Sequence, residues 1–314
     1  MTYPPVRIPQ KNSPGVAPQD TMAEAGRKVL RFQFARMLHH EDGTVLGEDI
    51  EELHDMRVAT RRMRAGYDVF EEAYCRPMIE PYFRGLRATG KALGRVRDLD
   101  VFMEKARLYL ETLLEVDRGG LDPLLDAWSR EREAAREQMI AYLNSKRYRK
   151  FKQEFGAFLA APGADARIDN DENFGSQQVS DIAPNLIHAR LEAVYAFEPL
   201  LANPTIEHLH ALRIEFKRLR YTIEFFREIL TERAEECIDI IKVLQDHLGD
   251  LHDAVVATAI LEEFIENWAE RHQSIQPVTA YLDVKRDELN HLIEIFPDAW
   301  AIFTNLEFNH ILAL

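Results

Sequence analysis

Apolar residues recur three and four positions apart along most of the chain. The pattern runs over residues 21–40, 49–76, 79–116 and 121–160, and again over 184–202, 205–232, 234–270 and 276–295. That period marks helices that each bury one stripe and leave the other side to water. No stretch alternates apolar and polar residues as a half-buried strand does, so the expected fold class is all-α. Gly119-Gly120 and Asp122-Pro123 punctuate the first half. Asn203-Pro204 stops one helix, and Thr205 stands where a hydroxyl would cap the next. Residues 161–181, APGADARIDNDENFGSQQVSD, lack periodicity and are rich in turn formers, which predicts a linker. The first twenty residues are proline-rich without an apolar core, which predicts a flexible leader rather than a secretory signal. The expected organisation is a leader over 1–20, a helical bundle over 21–160, a linker over 161–183 and a second bundle over 184–314.

The second half repeats the first. ELHDMRVATRRMRAGYDVF (52–70) lies without gaps over HLHALRIEFKRLRYTIEFF (208–226). His54 falls on His210, Arg57 on Arg213, Arg61 on Lys217, Arg62 on Arg218, Arg64 on Arg220 and Phe70 on Phe226. LGRVRDLDV (93–101) then lies over LGDLHDAVV (248–256) at an offset one residue shorter, which pairs Gly94 with Gly249 and Asp98 with Asp253. Two blocks at nearly one offset predict an internal duplication: two bundles of about four helices each, related by a pseudo-twofold.

On a helical wheel Arg57, Arg61 and Arg64 lie within roughly 80° of His54, beside an apolar stripe of Leu53, Met56, Met63, Tyr67 and Phe70. His210, Arg213, Lys217 and Arg220 repeat the basic row beside Leu209, Leu212, Phe216, Leu219 and Ile223. The positive row therefore borders the core instead of opposing it. Neither row carries an acid of its own, because Asp55 and Glu215 fall off the face. Like charges at this spacing weaken an isolated helix by a few tenths of a kcal/mol per pair. The row extends about 15 Å along the axis, a length that suits an extended polyanion better than a point anion. Arginine's planar fork grips phosphate oxygens in pairs and does not deprotonate. A solvated charged face would explain one such helix; its repetition in the second half favours function. A further row, Arg84, Arg87, Lys91 and Arg95, follows, answered in the second half only by Lys242, with Asp246 opposite Lys91. Asp98 and Asp253 are placed to orient arginines or cap a helix, and Gly94 and Gly249 to let helices approach closely.

Composition sharpens this picture. The chain has 314 residues, 46% of them hydrophobic, and a net charge of −14. Such a balance opposes general adhesion to nucleic acid or to an anionic membrane, so an anion site must be a local concentration of cations. No apolar run approaches the roughly 18–20 residues that cross a bilayer. Cys75 and Cys237 are the two cysteines, without metal or disulfide spacing, which makes a reducing cytosol the default.

The two blocks together resemble the CHAD family, the "conserved histidine α-helical domain". The resemblance rests on HDMRVATRRMR and LGRVRDLDV in the first half and on HLHALRIEFKRLRY and LQDHLGDLHDAVV in the second, and it spans most of residues 21–300. It implies two pseudo-symmetric four-helix bundles around a basic central groove or pore, binding of inorganic polyphosphate without chemistry, and a place in the cytoplasm at polyphosphate granules, with other granule proteins as candidate partners. It implies no cofactor, no metal and no catalytic residue in this chain, and a stand-alone member with any catalysis left to a separate protein. The family's basic positions carry over to His54, Arg57, Arg61, Arg64, Arg87 and Lys91 in the first half, and to His210, Arg213, Lys217, Arg220 and Lys242 in the second.

Three other readings compete, one of them a helical scaffold that binds protein partners through acidic outer faces and can coexist with a polyphosphate site. A metal-dependent phosphohydrolase would use His54-Asp55 or His252-Asp253, yet each pair is out of register between the halves, and the flanking arginines repel a divalent ion. An RNA-binding helical module would need aromatic rings interleaved with the cations, and Tyr67 and Phe70 sit on the apolar stripe instead.

Overall fold

The computed structural model describes residues 12–164, 166, 177–269 and 275–305. Among them the chain forms ten α-helices joined by turns and short 3-10 segments, with no strand. The helices are α1 (Met22–His39), α2 (Glu41–Leu46), α3 (Ile50–Phe70), α4 (Arg76–Glu111), α5 (Asp122–Leu143), α6 (Lys146–Ala160), α7 (Val179–Tyr195), α8 (Ile206–Phe226), α9 (Arg233–Ala269) and α10 (Gln276–Thr304).

Local chemistry sets the boundaries. The Thr21 side chain accepts from Glu24 N at the start of α1, and Asp49 accepts from Glu51 N at the start of α3. Thr205 and His208 form a reciprocal capping box at the start of α8, as the Asn203-Pro204 break predicts. The expected single segment 121–160 is two helices, because Ser145 caps a fresh start at α6 by accepting from Tyr148 N at 3.1 Å. With α2 this makes six helices in the first half and four in the second, among the described residues. Helix lengths follow the sequence repeat: α3 and α8 each have 21 residues, and α4 and α9 have 36 and 37.

One continuous apolar core draws on both halves. Phe34, Met56, Met63, Phe70 and Phe155 share it with Leu212, Phe216, Phe226 and Phe303. Phe70 of α3 packs edge-on against Phe226 of α8 at 5.6 Å between ring centres. A smaller core at one end joins Phe102 and Trp128 to Leu261 and Tyr281. The halves are therefore welded rather than linked, since neither could expose these faces without losing about 1.5–3 kcal/mol for each large side chain.

Three local expectations change. Residues 15–20 fall in the expected leader, yet they are tied down: Gly15 N and Val16 N donate to the Glu228 carboxylate, and Val179 N donates to Asp20 O. Lack of helical period reports only the missing helix, not missing partners. Residues 1–11 lie outside the described residues. Helix α7 begins at Val179, inside the expected linker, while 165 and 167–176 of that linker lie outside the described residues. A Cβ at Gly94 or Gly249 would meet nothing within 4 Å, so close helix approach belongs elsewhere. It belongs to Gly85, where a Cβ would run into the Phe151 ring of α6.

Candidate functional site

Helices α3 and α8 pack against each other, and part of each basic row meets the other there, beside α4 and α9. Two cavities open there. The first, about 390 Å³, has walls of Arg57, Arg61, Arg95 and Asp98 from the first half and Arg213, Lys217, His252 and Asp253 from the second. The second, about 300 Å³, is walled by Arg61, Arg64, Asp68, Arg190, Lys217 and Arg218. Arg61 and Lys217 belong to both, so one side chain from each half forms the partition between the two spaces.

Ion pairing divides the expected cations into two groups. Arg57 donates to Asp98 of α4 at 3.0 Å. Arg220 turns to Glu224 at 3.6 Å and lies over the Tyr221 ring, while the same Glu224 pairs with Arg62 at 3.0 Å. The expectation that the rows lack acidic partners is corrected at these two positions, because Asp98 comes from α4 and Glu224 from the next turn of α8 itself. Arg87 pairs with Glu80 and covers the Phe83 ring, and Lys242 pairs with Asp239 on its own helix. Neither lines the two cavities, nor does exposed Lys91. His54 is half-buried outside the cavity walls, and burial, with the Arg97 guanidinium, pushes its titration below the usual histidine range. His210 is exposed, with its Nδ1 3.3 Å from the Nδ1 of His252.

Arg61, Arg64, Arg213 and Lys217 remain without a carboxylate in ion-pair reach among the described residues. The Arg213 Nε is buried with no hydrogen-bond partner. Burial lowers its titration, and Arg61 adds to the effect against the pull of Asp253. Lys217 is pushed down to about 7 by burial and by Arg213, Arg61, Arg220 and Arg57. Groups whose charged form is opposed by both desolvation and like charge are poised to accept an anion, which removes both penalties.

The two halves treat their matching aspartates differently. Asp98 orients Arg57, as expected. Asp253 does not take Arg213: Lys105 of α4 reaches across and donates to it at 3.0 Å, with Asp250 at 3.8 Å. Sequence reasoning did not single out Lys105, nor Arg190 of α7. For Lys105 no sequence signal existed, since its partner is far along the chain. His252-Asp253 read as an accident of register, yet both residues line the cavity. Burial, then Arg213 and His210, lowers the His252 titration. Among the described residues no three His, Cys, Asp or Glu side chains converge as a metal site requires.

A larger cavity, about 500 Å³, lies at the far end between Tyr109, Val116 and Pro277. Its walls contain one charge, Asp117, and no cation. No helix of the described residues is long and apolar enough to cross a membrane.

Comparison with known proteins agrees with this architecture. The structure resembles the crystal structure of the CHAD domain from the plant Ricinus communis, with a TM-score of 0.70 at 22% identity, covering 96% of this chain and 98% of that one. It also resembles PptA from Streptomyces chartreusis, with a TM-score of 0.66 at 18% identity, covering 90% and 100%. At those identities the likeness concerns the fold alone. Uncharacterized proteins MT2285 and Rv2226 of Mycobacterium tuberculosis, from strains CDC 1551 and H37Rv, are each 25% identical over 255 residues. That match covers 80% of this chain and 48% of each relative, so the chain spans about half the length of the curated relatives it matches. The CHAD domain family model matches residues 28–262, and the chain belongs to the CHAD domain family.

Proposed function

We propose that the chain binds inorganic polyphosphate in the cleft between α3 and α8, holding it by charge and paired hydrogen bonds without chemical conversion. The observation that carries this reading is that four of the expected cations, Arg61, Arg64, Arg213 and Lys217, have no carboxylate partner among the described residues and stand, with Arg190, around two cavities with a common partition. A small anion would engage one cavity; a chain of phosphates can engage both. An overall charge of −14 makes this cationic seam a local exception, which favours a ligand whose negative charge is dense and linear. Arg57 and Arg95 line the first cavity with partners that a phosphate chain can displace. Residence in the cytoplasm at polyphosphate granules, beside other granule proteins, accompanies this reading.

Calorimetric titration with long-chain polyphosphate at two salt concentrations tests it. Four phosphate contacts give a slope of log K against log salt of about −3, hence roughly a 50-fold loss between 50 and 200 mM salt. Triphosphate should bind more weakly than long chains. Three results would overturn the reading: stronger binding of triphosphate, single-stranded RNA binding that excess polyphosphate does not compete, or metal-dependent release of orthophosphate.

A further inference from the structure

We propose that Lys217 is a covalent modification site, acylated on Nζ by small acyl phosphates that enter the cleft. Lys217 lines both cavities, so its side chain is open to solutes from either one. It is half-buried, and no carboxylate among the described residues pairs with it. Arg57, Arg61 and Arg213 line the first cavity with it, and Arg220 of its own helix adds like-charge repulsion. The acids on the cavity walls are engaged elsewhere: Asp98 with Arg57, and Asp253 with Lys105. Asp68 lies among Arg64, Arg190 and Arg218. His252 of α9 is itself held toward its neutral form. An ammonium in such company gives up its proton readily, which leaves the free amine that attacks carbonyl carbon.

The guanidiniums that favour the free amine also recruit the donor. Arg61 and Arg213 share the first cavity with Lys217 and suit the phosphate of an acyl phosphate. A volume of about 390 Å³ accepts a donor of that size. The Nζ lone pair attacks the acyl carbon, and a C–N bond forms. The C–O bond to phosphate breaks, and the electron pair leaves on inorganic phosphate. The nitrogen's proton passes to water. The product amide carries no charge and fills the partition between the cavities. Acylation itself needs only the site's geometry; its consequence, weaker polyphosphate binding, rests on the proposed function.

Acetyl phosphate is the probe. The purified chain is incubated with it at pH 7, and acetyl occupancy at every lysine is followed by peptide mass spectrometry. Lys217 should react at least about tenfold faster than exposed Lys91 and Lys146, because an ordinary lysine is almost wholly protonated at that pH. Arg61→Gln should slow Lys217 severalfold and leave Lys146 unchanged. A Lys217 rate at or below that of Lys91 overturns the proposal. Long-chain polyphosphate is added in a parallel arm. Protection of Lys217 supports a shared cleft. Fast acylation that saturating polyphosphate does not slow overturns the placement of polyphosphate and leaves the modification site standing. Polyphosphate binding without preferential acylation overturns the modification site alone.

Discussion

Lys105 should control the anion affinity of a residue it does not touch. Its ammonium holds Asp253 at 3.0 Å, and in the matching place of the first half Asp98 holds Arg57 at 3.0 Å. Lys105→Met releases the Asp253 carboxylate, and Arg213, unpaired on the same cavity wall, already feels its pull. A hydrogen bond between charged groups contributes about 1.5–3 kcal/mol. Lys105 and Asp253 are 29% and 38% exposed, so solvent screening reduces the useful figure to about 1 kcal/mol. Polyphosphate must then displace Asp253 to reach Arg213, and affinity should fall roughly fivefold. Calorimetry at fixed salt measures this, with thermal denaturation as the check on folding. The decisive variant is the double one. Lys105→Met with Asp253→Asn lacks both the cation and its competitor, and it should return to near the wild-type affinity. If the double variant binds as weakly as Lys105→Met, Lys105 acts through its own charge and the competition argument is wrong.

Three further outcomes follow from the same geometry. Lys217 titrates at about 7 in the folded chain against an ordinary 10.5, so between those values the unfolded chain binds more protons and stability rises with pH. Lys217→Met should abolish that slope in denaturant titrations at pH 6.5 and 9.5 and stabilise the fold at pH 7 by about 2 kcal/mol, half the unscreened figure of about 4 kcal/mol; an unchanged slope refutes the assignment. Arg57→Glu with Arg213→Glu should remove polyphosphate binding while far-ultraviolet circular dichroism stays helical, and retained binding would place the ligand elsewhere. Gly85→Ala drives a methyl into the Phe151 ring and should destabilise by about 1–3 kcal/mol, offset in part by helix propensity; a higher melting temperature would mean that α6 yields freely.

The helices were legible because burying one stripe imposes a period on the sequence, and α3 and α8 fall where that period and the Thr205 cap place them. The basic rows were legible for the same reason, since a row of cations on a helix is a local property. The break at Ser145 was missed because a cap can interrupt a helix without disturbing its apolar period. The tethered residues 15–20 were missed because Glu228, which holds two of their amides, lies in the other half of the chain.

The sequence by itself determined an all-helical chain and two similar sequence blocks, each with a cationic edge on one helix. Tertiary structure decided which of those cations are free, except at Arg220, whose partner Glu224 stands four residues on in the same helix. Arg57 reads identically to Arg61 and Arg213 along a helical wheel, yet it has a carboxylate in ion-pair reach and, among the described residues, they do not. The reason is that an ion pair depends on a separation of a few ångströms, whereas the partners come from helices packed across the molecule: Asp98 is 41 residues from Arg57, and Asp253 is 148 from Lys105. Charge along a helix is written residue by residue, but its neutralisation is settled only when the helices meet.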